Sequence, residues 1–185
     1  MGLSERGFGR TGWDVSSIGY GAWAIGGSWG DVSEAAARAT LNAALDADVT
    51  FVDTADVYGD GRSERIVRDV LAARSGNRPV VATKAGRRIS PHVAEGYTFE
   101  AIESFVDRSL TNLGVDCIDL LQLHCPPTDV YYRPDFFGDL DRLVEKGKLK
   151  FLGVSVEKVE EGLKAIEYPN VSSVQIIYNM FRQRP

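Results

Sequence analysis

Continuous apolar runs alternate along this chain with stretches whose apolar residues recur every three or four positions. The runs read as strands at roughly 16–20, 50–54, 80–84, 117–124, 150–156 and 173–178. Most are apolar at consecutive positions, as expected of parallel strands covered on both faces. The stretches between them carry helix signals. Ser33 is a fitting N-cap for SEAAARATLNAALDA, in which Leu41, Ala44 and Leu45 share a face. Ser63 is placed to start SERIVRDVLAA, striped by Ile66, Val67, Val70 and Leu71. Thr98 precedes FEAIESFVDRSLTNLG, where Ile102, Phe105, Val106, Leu110 and Leu113 repeat at helical spacing. FFGDLDRLVEK closes on Gly147, and VEEGLKAIEY stops ahead of Pro169.

Strict alternation of strand and helix implies parallel strands joined by right-handed crossovers. Ahead of the first strand, RGFGRTGWDVSSI predicts a short hairpin around Arg10 and Gly12, a plug on one end of the sheet. A doubly wound open sheet and a (β/α) barrel both fit this order. Strand parity separates them. Counting in twos groups His124 with Gln122, Leu120 and Ile118, Lys84 with Ala82 and Val80, and Asp53 with Phe51 and Val49. Each ionisable group is therefore the last member of one face of its strand. In a barrel that face is the interior, and the groups converge at the C-terminal mouth; in an open sheet they would spread along an edge. The predicted fold is α/β, of the (β/α)8 TIM-barrel type, truncated after about six parallel strands and preceded by a β-hairpin. Residues 1–185 are expected to form one incomplete domain of this kind.

At 185 residues the chain is long enough for one sizeable core, and nothing in it reads as a linker. Apolar and charged fractions of 44% and 25% are those of an ordinary soluble globular chain. The net charge of -5 comes from 26 acids and 21 bases interspersed without a basic block, which argues against nucleic acid as a partner. No apolar stretch approaches the roughly 20 residues of a membrane span. The opening MGLSERGFGR lacks the apolar core of a signal peptide. Cys117 and Cys125 fall near opposite ends of one predicted strand, too far apart to bridge. Both are expected to be reduced, with a cytoplasmic location. His92, His124, Cys117 and Cys125 show no ligand spacing, so no metal is expected.

The strand ends carry the candidate chemistry. FVDTADVY ends on Asp53 and Tyr58, VVATK on Lys84, IDLLQLH on His124 and FLGVS on Ser155. A phenol titrating near about 10 is a poor general acid at neutral pH, and a neighbouring ammonium lowers that value. Lys84 is the candidate ammonium, and Asp53 the carboxylate that holds it charged and aimed. His124 can hydrogen-bond a substrate oxygen or join the proton relay. Singly, each has a plain role: a structural ion pair, a satisfied core histidine, a half-buried ring. Together they suit reduction of a carbonyl, in which hydride reaches carbon while a proton goes to oxygen. GYGAWA at 19–24 matches the G-x-G-x-x-A dinucleotide pattern, but a loop through Gly26, Gly27 and Gly30 follows before Ser33. That fingerprint needs a helix to open on its glycines, so no site of that type is expected. Arg87 and Arg88 read as a solvated loop on the site's side of the sheet.

Over nearly its whole length the sequence resembles the aldo-keto reductases. GRTGWDVSSIGYGAWAIGG is similar to that family's first hairpin and strand, and FVDTADVYGDGRSE to its best-known signature. VATKAG, DLLQLHCPP, GKLKFLGVS and VQIIYN follow in the family's order and spacing. Any one piece is weak; the joint match is specific. The resemblance implies reduction of small-molecule aldehydes or ketones to alcohols, or the reverse, with NADPH by family habit and NAD as the alternative. It places Asp53, Tyr58, Lys84 and His124 at a catalytic tetrad, with Tyr58 as proton donor. It puts Ser155 and Gln175 on the nicotinamide carboxamide, and Ala22, Trp23 and Asp53 near the nicotinamide ribose. Trp23, Tyr58 and His124 would meet the substrate, with Trp29 sharing the pocket wall.

Two features depart from the family pattern. Val156 stands where members usually carry a polar side chain, often asparagine, after the serine of the fifth strand. A complete member has eight strands, and such barrels run to roughly 250 residues. The part beyond a sixth strand would carry most contacts to the cofactor's pyrophosphate and adenosine. A fragment of a longer enzyme is therefore expected, with edge strands open to self-association. A non-catalytic binding or regulatory subunit is the competing function, and retention of all four tetrad residues weighs against it.

Overall fold

A computed structural model describes residues 2–27 and 30–184. Trp29 lies outside the described residues. The chain opens as an antiparallel hairpin, β1 (Glu5–Phe8) and β2 (Trp13–Ser16). Six parallel strands follow: β3 (Tyr20–Gly21), β4 (Phe51–Asp53), β5 (Val80–Ala85), β6 (Ile118–His124), β7 (Leu149–Val156) and β8 (Val171–Ile176). They lie side by side in chain order. Helices α1 (Glu34–Asp46), α2 (Arg62–Ala72), α3 (Phe99–Leu113), α4 (Pro134–Glu145) and α5 (Val159–Ala165) fill the crossovers. No helix among the described residues is long and apolar enough to cross a membrane.

The register curls this sheet. Asp53 pairs with Ala82, two residues short of Lys84, and Lys84 pairs with Gln122, two residues short of His124. Each step thus advances by one pleat repeat along the same face, which is the stagger that tilts strands toward closure. His124, Ser155 and Gln175 then lie level on β6, β7 and β8. The result is a half-barrel of the (β/α)8 type, as the parity of the strand ends predicts. The curl brings β8 back toward β4: Gln175 Nε2 donates to Asp53 Oδ2 at 3.1 Å.

The hairpin plugs the N-terminal end. Phe8 meets Phe51 at the start of β4 with ring centroids 4.8 Å apart, and Trp13 meets Phe151 edge-on at 4.7 Å. The Arg10 N–H donates to Ser172 O at 2.8 Å, so the plug reaches from β4 across to β8.

Two local expectations need correction. The run at 16–20 is not one strand, because Ser16 completes the hairpin opposite Glu5 while the parallel strand begins at Tyr20. Between them Ser16 and Thr50 exchange side-chain bonds with each other's N–H at 2.7 and 2.9 Å, which replaces ladder pairing at that step. The other correction concerns Ser63, which does not cap its helix. Gly61, at φ 80, precedes α2, and the wholly buried Ser63 bonds Ala22 O and Thr54 Oγ1 instead. Ser33 and Thr98 do cap α1 and α3, accepting from the N–H of Ala36 and Ala101, a contribution of about 1 kcal/mol each.

All seven residues of β6 are buried, so both faces of the central strand are covered. Outside it pack the apolar stripes of the helices, including Ile66, Val67 and Val70 of α2 and Ile102 and Val106 of α3. This packing is rigid enough to hold side chains at the opposite, C-terminal mouth.

Candidate active site

The mouth is a cavity of about 560 Å³ lined by Trp23, Asp53, Tyr58, Lys84, His124, Ser155 and Gln175, among others. Ala22 lies behind this wall, wholly buried, with its N–H donating to Asp53 O and its C=O accepting from Ser63 Oγ. Trp23 is half exposed and its ring lies 6.3 Å from that of Tyr58 at 26°.

Lys84 is the hub. Its Nζ donates to Asp53 Oδ2 at 2.7 Å, to Thr54 O at 3.0 Å and to the Tyr58 hydroxyl at 3.3 Å. Only 2% of its side chain is exposed, so the ammonium is taken out of water and depends on these acceptors. Three acceptors use all three of its donors, which aims the charge at Tyr58.

Tyr58 departs from its expected titration. Burial pushes its phenol above the ordinary value, and the Lys84 charge pulls it back only in part. Desolvation of a phenolate outweighs one ammonium at this depth. His124 is 8% exposed and stands edge-on to the Tyr58 ring, with centroids 5.8 Å apart. Burial pushes its imidazole down to about 3, and the Lys84 and Arg87 charges act in the same direction. The ring is therefore neutral at neutral pH and can serve the site as a hydrogen-bonding group rather than a charge.

Several positioning groups escaped the sequence reading. Arg62 donates to Ile25 O at 2.8 Å and Val32 O at 2.7 Å, tying the Tyr58 loop to the segment that carries Trp23. Gly26 packs against that loop so closely that a Cβ there would lie 2.8 Å from Tyr58 C and 2.9 Å from Tyr58 Cβ. Asp56 lies wholly buried two residues before Tyr58, its carboxyl pushed up to about 7 by burial and then by Glu64. Close packing of glycine and burial of an acid leave no periodic signal in a sequence.

After β3 a 3-10 turn at Ala24–Gly26 follows, and α1 begins only at Glu34, so no helix opens on the GYGAWA glycines. Cys125 and Cys117 are unbridged thiols. Among the described residues no three His, Cys, Asp or Glu side chains gather as metal ligands would.

A parallel half-barrel with titratable side chains at its C-terminal mouth has the architecture of the (β/α)-barrel class. Comparison with known proteins places it further. The model of the Aldo/keto reductase family matches residues 17–185. The aldo-keto reductase yakc [NADP(+)] of Schizosaccharomyces pombe is 32% identical over 171 residues, covering 90% of this chain and 50% of that protein. The 6-dehydroglucose reductase of Novosphingobium aromaticivorans is 36% identical over 159 residues, covering 81% of this chain and 50% of that protein. The solved glycerol dehydrogenase of Gluconobacter oxydans superposes with a TM-score of 0.80 at 30% identity, covering 98% of this chain and 57% of that one. The chain belongs to the aldo/keto reductase family. It spans about half the length of the curated relatives it matches.

Proposed function

We propose that this chain carries the proton-handling side of an oxidoreductase that interconverts small aldehydes or ketones and alcohols with NADPH. The observation that carries the reading is the buried Lys84 ammonium, hydrogen-bonded to both Asp53 and the Tyr58 hydroxyl at the wall of one cavity. Tyr58 donates its proton to the substrate oxygen as negative charge develops there. Lys84 stabilises the phenolate left behind, and Asp53 keeps Lys84 charged and aimed. His124, neutral, holds the carbonyl oxygen by a hydrogen bond at the same wall.

The residues present fit a nicotinamide. Gln175 Oε1 is buried beside Asp53 without a hydrogen-bond partner among the described residues, so an amide donor would satisfy it. Ser155, level with Gln175 on the neighbouring strand, supplies a hydroxyl to the same group. Trp23 offers a half-exposed ring at the rim. Val156 adds no polar contact. When bound, the cofactor supplies the hydride that the carbonyl carbon receives. NADPH is preferred to NAD on family grounds, and the fission-yeast relative carries NADP(+) in its name. The two unbridged thiols support a cytoplasmic location.

Tyr58→Phe tests the reading. Carbonyl reduction should fall by about 10²–10⁴-fold, the usual worth of a positioned general acid, while NADPH binding measured by fluorescence is retained. Unchanged turnover in the variant overturns it.

A further inference from the structure

Tyr58 is placed by its backbone more than by its own hydrogen bond. The Lys84 ammonium meets its hydroxyl at 3.3 Å, beyond the usual hydrogen-bond length. Past the ring the chain turns through Gly59, Asp60 and Gly61 at φ 61, 52 and 80, and α2 begins at Arg62. Glycine takes up this left-handed conformation freely, whereas aspartate adopts it at a cost. The Asp60 side chain is 73% exposed, so apolar packing does not offset that cost.

Guanidinium groups hold the turn instead. Asp60 Oδ1 accepts from Arg88 Nη1 at 2.8 Å and from Arg108 Nη2 at 2.5 Å. Asp60 O accepts from Arg108 Nη2 at 3.0 Å and from Arg65 Nη1 at 3.2 Å. The arginines come from different elements: Arg65 from α2, Arg108 from α3 and Arg88 from the segment after β5. One exposed ion pair is worth little, but here the carboxylate and the carbonyl of a single residue are gripped together. The grip is also anchored. Arg65 Nη1 donates to Asn112 Oδ1 at 3.3 Å, and Asn112 Nδ2 donates to Glu64 Oε2 at 2.8 Å. Thr83 Oγ1 donates to Glu64 Oε1 at 2.7 Å. Glu64 and Thr83 are wholly buried, and Thr83 is the neighbour of Lys84 on β5. A run of hydrogen bonds thus joins the Tyr58 loop to the residue beside Lys84.

We infer that Asp60 is a positioning residue: gripped by Arg65, Arg88 and Arg108, it holds the Tyr58 phenol in register with the Lys84 ammonium. The inference rests on the reductase reading for its effect on turnover, but not for its effect on Tyr58.

Asp60→Gly tests it. Glycine suits the left-handed φ, so the carboxylate is removed without adding backbone strain, and the melting midpoint should stay near that of the wild type. In an NMR titration of the tyrosine-labelled chain, the Tyr58 phenol should move down toward its ordinary value. Burial is what raises it most, and a ring released from the wall regains water. Loss of Lys84 moves the same phenol up, so the two effects are told apart. Arg108→Gln repeats the test from the other partner: it should give a downward shift too, and combining it with Asp60→Gly should add little, because both remove the same contact. In NADPH-dependent carbonyl reduction, kcat should fall about tenfold with the KM for NADPH unchanged, since misplacing the phenol acts on the chemical step. A Tyr58 titration unmoved in both variants overturns the positioning and leaves the reductase reading standing. A shifted titration beside an unaltered kcat overturns Tyr58 as proton donor and leaves the positioning standing.

Discussion

Gln175 Nε2 lies 3.1 Å from Asp53 Oδ2, although four strand-to-strand steps separate β8 from β4. In a flat sheet those steps, at about 4.8 Å each, would hold the two strands about 19 Å apart. The contact is the closure of the half-barrel expressed as one hydrogen bond. It also gives the Asp53 carboxylate a second grip, so the acid that aims Lys84 is held from both sides of the mouth.

Replacing Lys84 by methionine should raise the Tyr58 phenol still further above its ordinary value. The Lys84 charge and its hydrogen bond are what lower that value in the folded protein. A spectroscopic titration of the tyrosines should show the Tyr58 component moving to higher pH. A component that stays put, or moves down, would mean that Lys84 does not govern Tyr58. The variant also leaves Asp53 without its ammonium, and loss of one partner of a buried pair costs about 3–5 kcal/mol.

Asp56 makes stability depend on pH in the sense opposite to a salt-bridged carboxylate. Its folded value is raised from 3.8 to about 7, chiefly by burial. Between those limits the unfolded chain has released this proton and the folded chain has kept it, so stability falls as pH rises through that window. The groups facing Asp56 are Glu64 on α2, Arg88 after β5, Arg108 on α3, and Tyr97. Asp56→Asn mimics the neutral form and should flatten this part of the profile. The span from 3.8 to about 7, at about 1.4 kcal/mol per pH unit, caps the gain at roughly 4 kcal/mol. Denaturant unfolding from pH 4 to pH 8 is the check, and parallel curves for the two proteins would refute the assignment.

Gly26→Ala should destabilise the chain by roughly 1–3 kcal/mol, the usual cost of overpacking. The added methyl meets backbone and Cβ atoms of Tyr58, which cannot swing aside as the tip of a long side chain would. Carbonyl reduction should fall with it, because the displaced atoms carry the phenol. Thermal melting and turnover, measured together, distinguish this from a harmless surface change: an unshifted midpoint with full activity contradicts the packing.

The chain should self-associate. β3 and β8 are the terminal strands of the sheet, and beyond β8 Tyr178 and Phe181 are 98% and 93% exposed. Unpaired strand edges beside exposed aromatic rings favour association. Sedimentation should show mass rising with concentration; a single monomeric species across the range would count against it.

Asp53, Lys84, His124 and Ser155 were legible because a strand's period is two. A polar residue closing an apolar run marks both the face and the end of its strand. The helices were legible from their stripes and from Ser33 and Thr98, whose cap geometry is local. Ser63 was misread for the same reason. Its pattern is that of a cap, yet the buried carbonyl of Ala22, far away in the chain, claims its hydroxyl.

By itself the sequence determined the alternation of elements, the residues that end each strand, and the family those segments match. These are short-range properties, set by side-chain periodicity and backbone preference. Only the tertiary structure decided that β8 curls back to Asp53, that Arg62 and Gly26 pin the Tyr58 loop, and that Asp56 is buried with a raised pKa. It also decided that burial outweighs Lys84 at the phenol. Each of these depends on distance through space and on removal from water, neither of which is a function of neighbouring letters.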